Sequence, residues 1–554
     1  MHVITFLPAA VTITAAAGQT ILAAARQAGV LLESPCNGSG FCGECKVRVA
    51  PAYLSRLVRR SDACITAGLE EQGLVLACLA EVHGDITVEL LAGPEAGLAI
   101  LTTGNSRHVT HAPAVTKRYD APAGCTVVEK DGRVLAQEAG DTGRACYGAV
   151  IDIGTTTLVL AIADLISGRE LASVSALNPQ SLHGQDVLSR IQFAAGEAGL
   201  ALLYQSLAAE ISRLLKTAAA QAGIDARHVY EIVYSGNTCM LHLATGVNPK
   251  SLGKYPYTPV IGGDCYLPAG DCLLAAADSA EVYLPPIISA YVGADISTGL
   301  LAVELKEQPG VSLFVDIGTN GELALANNGR ISAASTAAGP AFEGMNIACG
   351  MRASLGAVEH AEITAAGQWQ VTTIGQAPAT GICGSGLLDI AGELVKHGVV
   401  ARNGRFAPAD KLPGELAGRL ITIEGKPAFR VAGDVYLSQK DLRQIQLAKG
   451  AIRAGIELLL RSQGAQAAAV DRVLIAGSFG YHLRAESLLN IGLLPPEFAG
   501  KISFVGNTSK TGGMALLCSR QLRQELAQLV REIEVVELSQ YDDFDRVFVN
   551  SLTY

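Results

Sequence analysis

The segment most informative about the fold is Ile151-Asp152-Ile153-Gly154-Thr155-Thr156-Thr157-Leu158-Val159-Leu160, in which one β-branched run passes through Asp-Ile-Gly-Thr into a second apolar run. The pattern recurs 164 residues later as Val315-Asp316-Ile317-Gly318-Thr319-Asn320-Gly321-Glu322-Leu323-Ala324. A further pair of segments, 232–238 and 473–479, repeats an apolar strand that enters a glycine turn. Internal repetition of this kind predicts two similar lobes.

The turns inside this repeat have the composition of a phosphate-binding site. Glycine lets the backbone approach a phosphate, while consecutive N–H groups and threonine hydroxyls supply donors. An aspartate at the end of each preceding strand can hold Mg²⁺ through water, because Mg²⁺ keeps much of its hydration. We therefore expect catalytic roles for Asp152 and Asp316, although the sequence does not separate a base from a metal holder. The expected nucleotide-binding residues are Gly154, Thr155, Thr156, Thr157, Gly318, Thr319 and Asn320, with Gly477, Ser478, Phe479 and Gly480 under the nucleoside. The alternative is a pair of β-hairpins with tight turns and no ligand.

The N-terminal residues carry a different signature, a set of cysteines interleaved with glycine. Three cysteines are spaced x5 and x2, and a fourth follows after 32 intervening residues: Cys36, Cys42, Cys45 and Cys78. Such a loop can wrap a thiolate-ligated cluster with its N–H groups directed at the sulfurs. A structural zinc site, which usually has two tight cysteine pairs, and a set of ordinary thiols are the alternatives. Cys64 lies outside the spacing.

The elements around these cysteines also suggest a fold. Alternation at 3–7 and 11–14 predicts a β-hairpin. Thr20 can then cap a helix that runs from Ile21 to Ala28. A hairpin followed by a helix is the opening of a β-grasp domain.

Composition excludes several classes of protein. The chain has 554 residues, of which 49% are apolar and 17% charged, so it is not disordered. Its net charge of −10 and 5% aromatic content argue against a nucleic-acid surface. No segment reaches the roughly 18 apolar residues of a membrane helix. The first arginine or lysine is Arg26, so the apolar start lacks the basic region of a signal peptide, and we expect a cytoplasmic protein.

Both halves of the chain resemble known families. The cysteine spacing resembles that of [2Fe-2S] ferredoxin domains of the adrenodoxin-like kind. The repeated Asp-Ile-Gly-Thr segments and the later glycine turn resemble the actin, sugar kinase and Hsp70 ATPase superfamily. The fusion of the two, together with four further segments, resembles the reductive activators of corrinoid enzymes. Those segments are SGNTCMLHLATG at 235–246, GPAFEGMNI at 339–347, GICGSGLLD at 381–389 and DLRQIQLAKGAIRAGI at 441–456.

This resemblance implies a fold class. We expect an α+β β-grasp ferredoxin domain at 1–92 and a linker with a small accessory unit at 93–146. An α/β two-lobed actin-like (ribonuclease H-like) ATPase should occupy 147–554, with lobe I at about 147–305 and lobe II at about 310–535. In the connector, the strands CTVVEK and RVLAQE should form a hairpin at Asp131-Gly132.

The resemblance also implies a function, the ATP-dependent transfer of one electron from a [2Fe-2S] cluster to Co(II) of a corrinoid protein. The implied cofactors are the cluster, ATP and Mg²⁺. The implied partners are a corrinoid protein, a low-potential electron donor and a second copy of the chain in a homodimer, with no nucleic acid and no membrane. Three other functions stay open: a small-molecule kinase with a redox-sensing ferredoxin domain, an activator of 2-hydroxyacyl-CoA dehydratases, and a chaperone-like ATP-binding protein. A kinase would need a catalytic carboxylate such as Asp295 or Glu343, and the sequence selects neither.

Overall fold

The computed structural model describes residues 1–7, 11–28, 30, 45–59, 73–90, 110–184, 186–344, 346–351, 353, 355–423, 425–477 and 483–554. The chain divides into two compact units, Met1–Ala96 and Gly97–Tyr554. No helix in these ranges is long and apolar enough to cross a membrane. The boundaries expected at 92 and 146 stay predictions.

The first unit is a five-stranded sheet with one helix, in the order β2-β1-β7-β3-β5. The expected hairpin is confirmed, because β1 and β2 pair antiparallel with Thr5 opposite Thr12. Thr20 accepts a hydrogen bond from Ala23 N–H, as a capping residue should. The strands are β1 His2–Leu7, β2 Val11–Ala15, β3 Lys46–Val49, β4 Leu57–Arg59, β5 Leu74–Leu76, β6 Ala80–Val82 and β7 Ile86–Leu90, and the helix is α1 Ile21–Gln27.

The second unit begins with a small antiparallel sheet in the order β10-β9-β8. Its hairpin turns at Asp131-Gly132 as predicted, with Arg133 opposite Lys130. Val115 and Val128 of this sheet are buried in the same core as lobe I. The strands are β8 Val115–Asp120, β9 Cys125–Lys130 and β10 Arg133–Ala139.

Lobe I is built on a six-stranded sheet in the order β13-β12-β11-β14-β16-β15. The central strand β11 pairs antiparallel with β12 and parallel with β14. The strands are β11 Tyr147–Ile153, β12 Thr157–Asp164, β13 Glu170–Leu177, β14 Val229–Gly236, β15 Cys265–Pro268 and β16 Glu281–Leu284. The helices are α2 Val187–Phe193, α3 Glu197–Ala222, α4 Thr238–Ala244 and α5 Ala294–Ala302.

Lobe II repeats this architecture in a sheet of order β27-β26-β17-β18-β19-β28. Its strands are β17 Val311–Ile317, β18 Gly321–Asn327, β19 Arg330–Thr336, β26 Arg472–Ala476, β27 Ile502–Gly506 and β28 Glu534–Val535. Two smaller sheets contain β20 Ala357–Ile363, β21 Trp369–Thr373 and β22 Gly381–Ile382, and β23 Leu420–Ile423, β24 Lys426–Ala432 and β25 Val435–Ser438. The remaining helices are α6 Gly384–Lys396, α7 Gly414–Gly418, α8 Gln439–Ser462, α9 Ala485–Asn490, α10 Thr508–Cys518, α11 Arg520–Glu532 and α12 Phe544–Ser551.

Five strands of each lobe match in order and register, β13-β12-β11-β14-β16 with β19-β18-β17-β26-β27, and the sixth strand lies at opposite edges of the two sheets. Gly236 ends β14 beside β11, and Gly477 follows β26 beside β17. A Cβ at either glycine would come within 2.7 Å of a carbonyl oxygen, that of Ile153 or of Ile317 respectively. Both parallel strands therefore need glycine where they meet the Asp-Ile-Gly-Thr turn.

The repeat is not uniform, because the turn in lobe I is one residue longer. Ile153 pairs with Leu158, whereas Ile317 pairs with Gly321. Equivalent residues are therefore 164 positions apart in the first strands, β11 and β17, and 163 positions apart in the second strands, β12 and β18.

Helices α5 and α10 cross at a point where only glycine fits. A Cβ at Gly512 would lie 2.0 Å from the carbonyl oxygen of Thr298, and one at Gly513 would lie 2.5 Å from Val150. Phe314 of the lobe II sheet belongs to the same buried cluster as the lobe I core. This crossing therefore links the cores of both lobes.

Candidate functional site

The two glycine turns of the repeat meet in one cleft. The Thr156 and Thr319 hydroxyl oxygens are 3.5 Å apart although the residues are 163 positions apart. Thr155, Thr156 and Thr319 are buried. In each turn a backbone N–H closes the loop, Gly154 to Thr157 and Gly318 to Asn320, both at 3.0 Å. The two turns predicted to bind phosphate thus meet at Thr156 and Thr319.

Asp152, at the end of β11, is held by two donors from the start of α10. Asn507 Nδ2 donates at 2.7 Å and Ser509 Oγ at 2.8 Å. Ser509 Oγ also lies 2.9 Å from the Ser235 hydroxyl. Burial raises the pKa of Asp152, and the two donors oppose part of that increase. Asp152 is thus fixed in orientation by residues far away in sequence.

Asp316, the equivalent residue of β17, has no hydrogen-bond donor or cation beside it in the described part of the chain. Burial raises its pKa to about 7, and the charge of Asp152 adds to the increase. Asp295, near the start of α5, has its pKa raised to about 8 by burial and by Asp316 and Asp152. Glu322 on β18 has its pKa raised well above its ordinary value by burial and by Asp295 and Asp316, although the Asn320 side chain opposes this through a hydrogen bond. Four acidic side chains therefore share one cleft.

These acids suit a divalent cation that is bound mainly through water. Mutual repulsion among buried carboxylates is relieved by a cation, and oxygen ligands are those that Mg²⁺ prefers. Among the described residues, no three histidine, cysteine or acidic side chains are arranged to hold a metal directly. Mg²⁺ usually keeps several waters and uses one or two carboxylates, so this donor set fits it.

The lobe I turn is held by two buried side chains that the sequence did not point to. Asn178 donates from its side chain to the Gly154 carbonyl and from its backbone to the Thr156 carbonyl, each at 2.9 Å. Arg190 of α2 donates from Nη2 to the Thr155 carbonyl at 2.5 Å, and burial lowers its pKa to about 10. The turn is therefore fixed from behind by an amide and a guanidinium.

Glu343 connects the two turns. One carboxylate oxygen accepts from Thr319 Oγ1 at 2.8 Å, and the other accepts from Thr156 Oγ1. From the sequence, Asp295 and Glu343 were two equivalent candidates for the catalytic carboxylate of a kinase. Both lie in the cleft, which their positions in the chain could not show.

Two other segments were singled out in the sequence, the glycine turn that begins at Gly477 and GICGSGLLD at 381–389. Gly477 lies beside the phosphate turn, with an ideal Cβ position 3.3 Å from Asp316 Oδ1. Ser478, Phe479 and Gly480 lie outside the described residues. GICGSGLLD forms β22 and the start of α6, where Asp389 is buried and bonded to His360 Nδ1 at 2.8 Å and to Ser487 Oγ at 2.6 Å. Asp389, at the end of that segment, therefore forms hydrogen bonds inside lobe II.

In the first unit, two of the four predicted cluster cysteines are described. Cys45 lies directly before β3 and Cys78 in the turn between β5 and β6, and their sulfurs are 3.2 Å apart and buried. Ala77 N–H donates to the Cys45 carbonyl at 2.9 Å, which fixes the two segments together. Cys36, Cys42 and Cys64 lie outside the described residues.

Three models of known protein families match the chain. The 2Fe-2S iron-sulfur cluster binding domain matches 4–83, the RACo middle region matches 147–308, and the C-terminal domain of RACo, the ASKHA domain, matches 310–554. The chain belongs to the RACo family. It therefore combines a 2Fe-2S cluster binding domain with a nucleotide-binding ASKHA domain, and the fold class predicted from the sequence is confirmed.

Two named relatives of this RACo-family chain illustrate what it is similar to. The corrinoid activation enzyme RamQ of Eubacterium limosum is 33% identical over 386 residues, which are 68% of this chain and 65% of that protein. The chain thus spans just under two thirds of the length of that relative. The [Co(II) methylated amine-specific corrinoid protein] reductase of Methanosarcina barkeri is 25% identical over 74% of this chain and 77% of its own length.

A solved structure matches along the whole chain. It is titled reductive activator for corrinoid,iron-sulfur protein, and the superposition has a TM-score of 0.74 at 28% identity. The match covers 100% of this chain and 98% of the other.

Proposed function

We propose that the protein reactivates a corrinoid protein by passing one electron from its [2Fe-2S] cluster to Co(II), which becomes Co(I), in a step coupled to ATP hydrolysis. The main support is that a ferredoxin-type unit and a two-turn phosphate site occur on one chain whose relatives are named for corrinoid activation and reduction. A cluster and an ATPase on one chain imply that each acts on the other's reaction.

The energetics favour such a coupling. A plant-type ferredoxin cluster has a potential near −400 mV, on the order of what a strong biological reductant reaches. For a one-electron step, about 59 mV changes the equilibrium tenfold. ATP can shift that balance only through its different interaction with two conformations of the complex. A low-potential donor is therefore proposed to reload the cluster.

In the ATPase, the proposed ligands of the phosphates are the backbone N–H groups of the two turns with the hydroxyls of Thr156 and Thr319. Asp316, with Asp295 and Glu322 nearby, would hold Mg²⁺ through water. When bound, the metal neutralises charge on the phosphates. Asp152 keeps its orientation through Asn507 and Ser509.

Asp295 is the proposed proton acceptor for the attacking water. It lies among the acids of the cleft, and Mg²⁺ held by Asp316 would offset the repulsion that raises its pKa and so favour the ionised form, which is the form that accepts a proton. This assignment places the base on α5, the helix that crosses α10 between the lobes.

The cluster assignment has its own test. Cys36, Cys42, Cys45 and Cys78 are the proposed ligands of one [2Fe-2S] cluster. Anaerobically purified protein should contain two irons and two acid-labile sulfides per chain, a composition fixed by the cluster type. Cys42→Ser should lose or damage the cluster, whereas Cys64→Ser should keep it. About four irons per chain, or none in folded protein, would contradict the assignment.

The deciding experiment mixes reduced protein, Mg-ATP and a Co(II) corrinoid protein without oxygen and follows the visible spectrum. Co(I) should appear only when ATP is present. A spectrum that stays that of Co(II), together with phosphorylation of a small metabolite, would favour the kinase instead.

A further inference from the structure

The carboxylate of Glu343 occupies the donors that a bound phosphate would need. Its two oxygens accept from the hydroxyls of Thr156 and Thr319, one from each lobe. A carboxylate and a phosphate oxygen group are alike in charge and in accepting several hydrogen bonds. A threonine hydroxyl has one proton, so it donates to one strong acceptor at a time.

Glu343 is presented by a rigid support. It ends the short 3₁₀ helix Pro340–Glu343, in which Ala341 and Phe342 are buried in the lobe II core. Gly344 follows at φ 78°, and a Cβ at Gly350 would lie 1.9 Å from the Gly344 carbonyl oxygen. Such packing leaves the 3₁₀ helix little freedom to move.

The lobe I turn that contains Thr156 is also held by contacts within its own lobe. Asn178 holds the turn at Gly154 and Thr156, and Arg190 holds it at Thr155. The Glu343 bridge therefore joins two segments that are each held by further contacts within their own lobe, and breaking it removes a connection between the lobes.

We infer that Glu343 is a latch that nucleotide displaces. Without nucleotide, its carboxylate holds the two phosphate turns together. When ATP binds, the terminal phosphates take the hydroxyl donors of Thr156 and Thr319, and Glu343 is released. The inference rests on the proposed ATP site, and it makes Glu343 a positioning residue that reports occupancy of the site to lobe II.

The matched variants are Glu343→Gln, which keeps the size and removes the charge, and Glu343→Asp, which keeps the charge but is too short to reach both threonines. Charge-assisted hydrogen bonds are roughly twice as strong as neutral ones, so the Gln variant should hold the turns less firmly. Glu343→Gln should bind Mg-ATP about three- to tenfold tighter than wild type, because no carboxylate then competes with the phosphates for the two threonine hydroxyls. The Asp variant should show a smaller gain. Glu362→Gln, an exposed carboxylate on β20, is the control.

A second readout needs no ATP. In nucleotide-free protein, amide hydrogen exchange in peptides covering 154–157 and 318–321 should be faster in both Glu343 variants than in wild type or in the control. ATP should remove this difference, because the phosphates then bridge the turns.

The outcomes separate the latch from the proposed function. A wild-type protein that binds no nucleotide would overturn both. Wild-type binding with weaker binding in Glu343→Gln and unchanged exchange would make Glu343 an ordinary ligand of the nucleotide and overturn the latch alone. Thermal melting shows whether each variant is folded before either result is interpreted.

Discussion

Asp152 of lobe I and Asp316 of lobe II occupy equivalent positions at the ends of β11 and β17, yet their surroundings differ. Asp152 accepts hydrogen bonds from Asn507 and Ser509, whereas Asp316 faces the acids of the cleft without a donor in the described part of the chain. The repeated backbone therefore presents one carboxylate with two hydrogen-bond donors and one with none among the described residues. The comparison teaches that equal motifs in a duplicated fold can hold unequal roles.

The comparison predicts its largest effect for the two isosteric variants Asp316→Asn and Asp152→Asn. Asp316→Asn should lower Mg-ATP hydrolysis about 10³-fold, which is about 4 kcal/mol of barrier, because it removes the carboxylate that is proposed to hold Mg²⁺. Asp152→Asn should cost less activity, since its carboxylate already has protein partners. Steady-state ATPase assays at saturating Mg²⁺ measure both, and equal losses would show that the two aspartates share one role.

A second difference lies at the far end of the same sheets. Gly148 of lobe I pairs with Glu231, and the equivalent Ser312 of lobe II pairs with Arg472. Glu231 is fully buried between Arg523, at 2.7 Å, and Lys130, at 3.1 Å. Burial alone would raise the pKa of Glu231, but these two cations hold it below its ordinary value.

Glu231→Gln should therefore destabilise the second unit by about 3 kcal/mol, because the buried Arg523 loses its carboxylate partner and Lys130 keeps only Glu281. The matched Arg472→Gln, at a half-buried position of lobe II, should cost less than about 1 kcal/mol. Calorimetric melting of the full-length protein tests the pair. Similar losses in the two variants would show that the buried ion cluster adds nothing specific to lobe I.

The phosphate turns give a third contrast, because only the lobe I turn has a buried guanidinium behind it among the described residues. Arg190→Lys keeps a charge but replaces a planar set of donors with a single ammonium. We expect Mg-ATP to bind about tenfold more weakly, which corresponds to about 1.4 kcal/mol. Titration calorimetry with ATP measures the change. Unaltered affinity would mean that Asn178 alone is sufficient to hold the turn.

The smallest effect concerns the long helices, α3 in lobe I and α8 in lobe II. All the buried residues of α3 are apolar, whereas α8 buries Lys449, whose Nζ donates to the Thr553 carbonyl at 2.5 Å. Burial lowers the pKa of Lys449 to about 7, and Arg453 adds to the decrease.

The sign of the pH dependence follows from that shift. The unfolded lysine keeps its proton up to about pH 10.4, so between about pH 7 and that value the unfolded chain binds more protons and stability rises with pH. Wild type should gain about 1 kcal/mol relative to Lys449→Met between pH 7.5 and 8.5. Melting temperatures of both proteins across this range test it, and parallel curves would contradict a neutral buried lysine.

The sequence was sufficient for the parts of the fold that depend on local pattern. The Asp-Ile-Gly-Thr segments identified two equivalent strand pairs, and the turn at Asp131-Gly132 identified a hairpin. The sequence did not reveal that the lobe I turn is one residue longer than the lobe II turn. An ungapped alignment of the two Asp-Ile-Gly-Thr segments cannot show which residues pair across each turn.

The candidate site was only partly predictable, because its chemistry depends on residues that meet from distant segments. Asn507 lies 355 positions from the aspartate that it holds. Glu322 was within the quoted repeat but looked like an ordinary strand residue. Glu343 followed a glycine-proline turn that showed no link to either phosphate turn. Each of these contacts is set by the packing of whole sheets, which no local pattern encodes.

The 3.2 Å separation of the Cys45 and Cys78 sulfurs has a consequence when the protein is exposed to oxygen. The backbone hydrogen bond from Ala77 to Cys45 holds these two proposed cluster ligands together, so their sulfurs would be within reach of each other if iron were lost. Thiols so placed oxidise readily to a disulfide, with two electrons passing to the oxidant. Damage by air would thus close the emptied site, and repair would have to begin with a reductant before iron and sulfide could return.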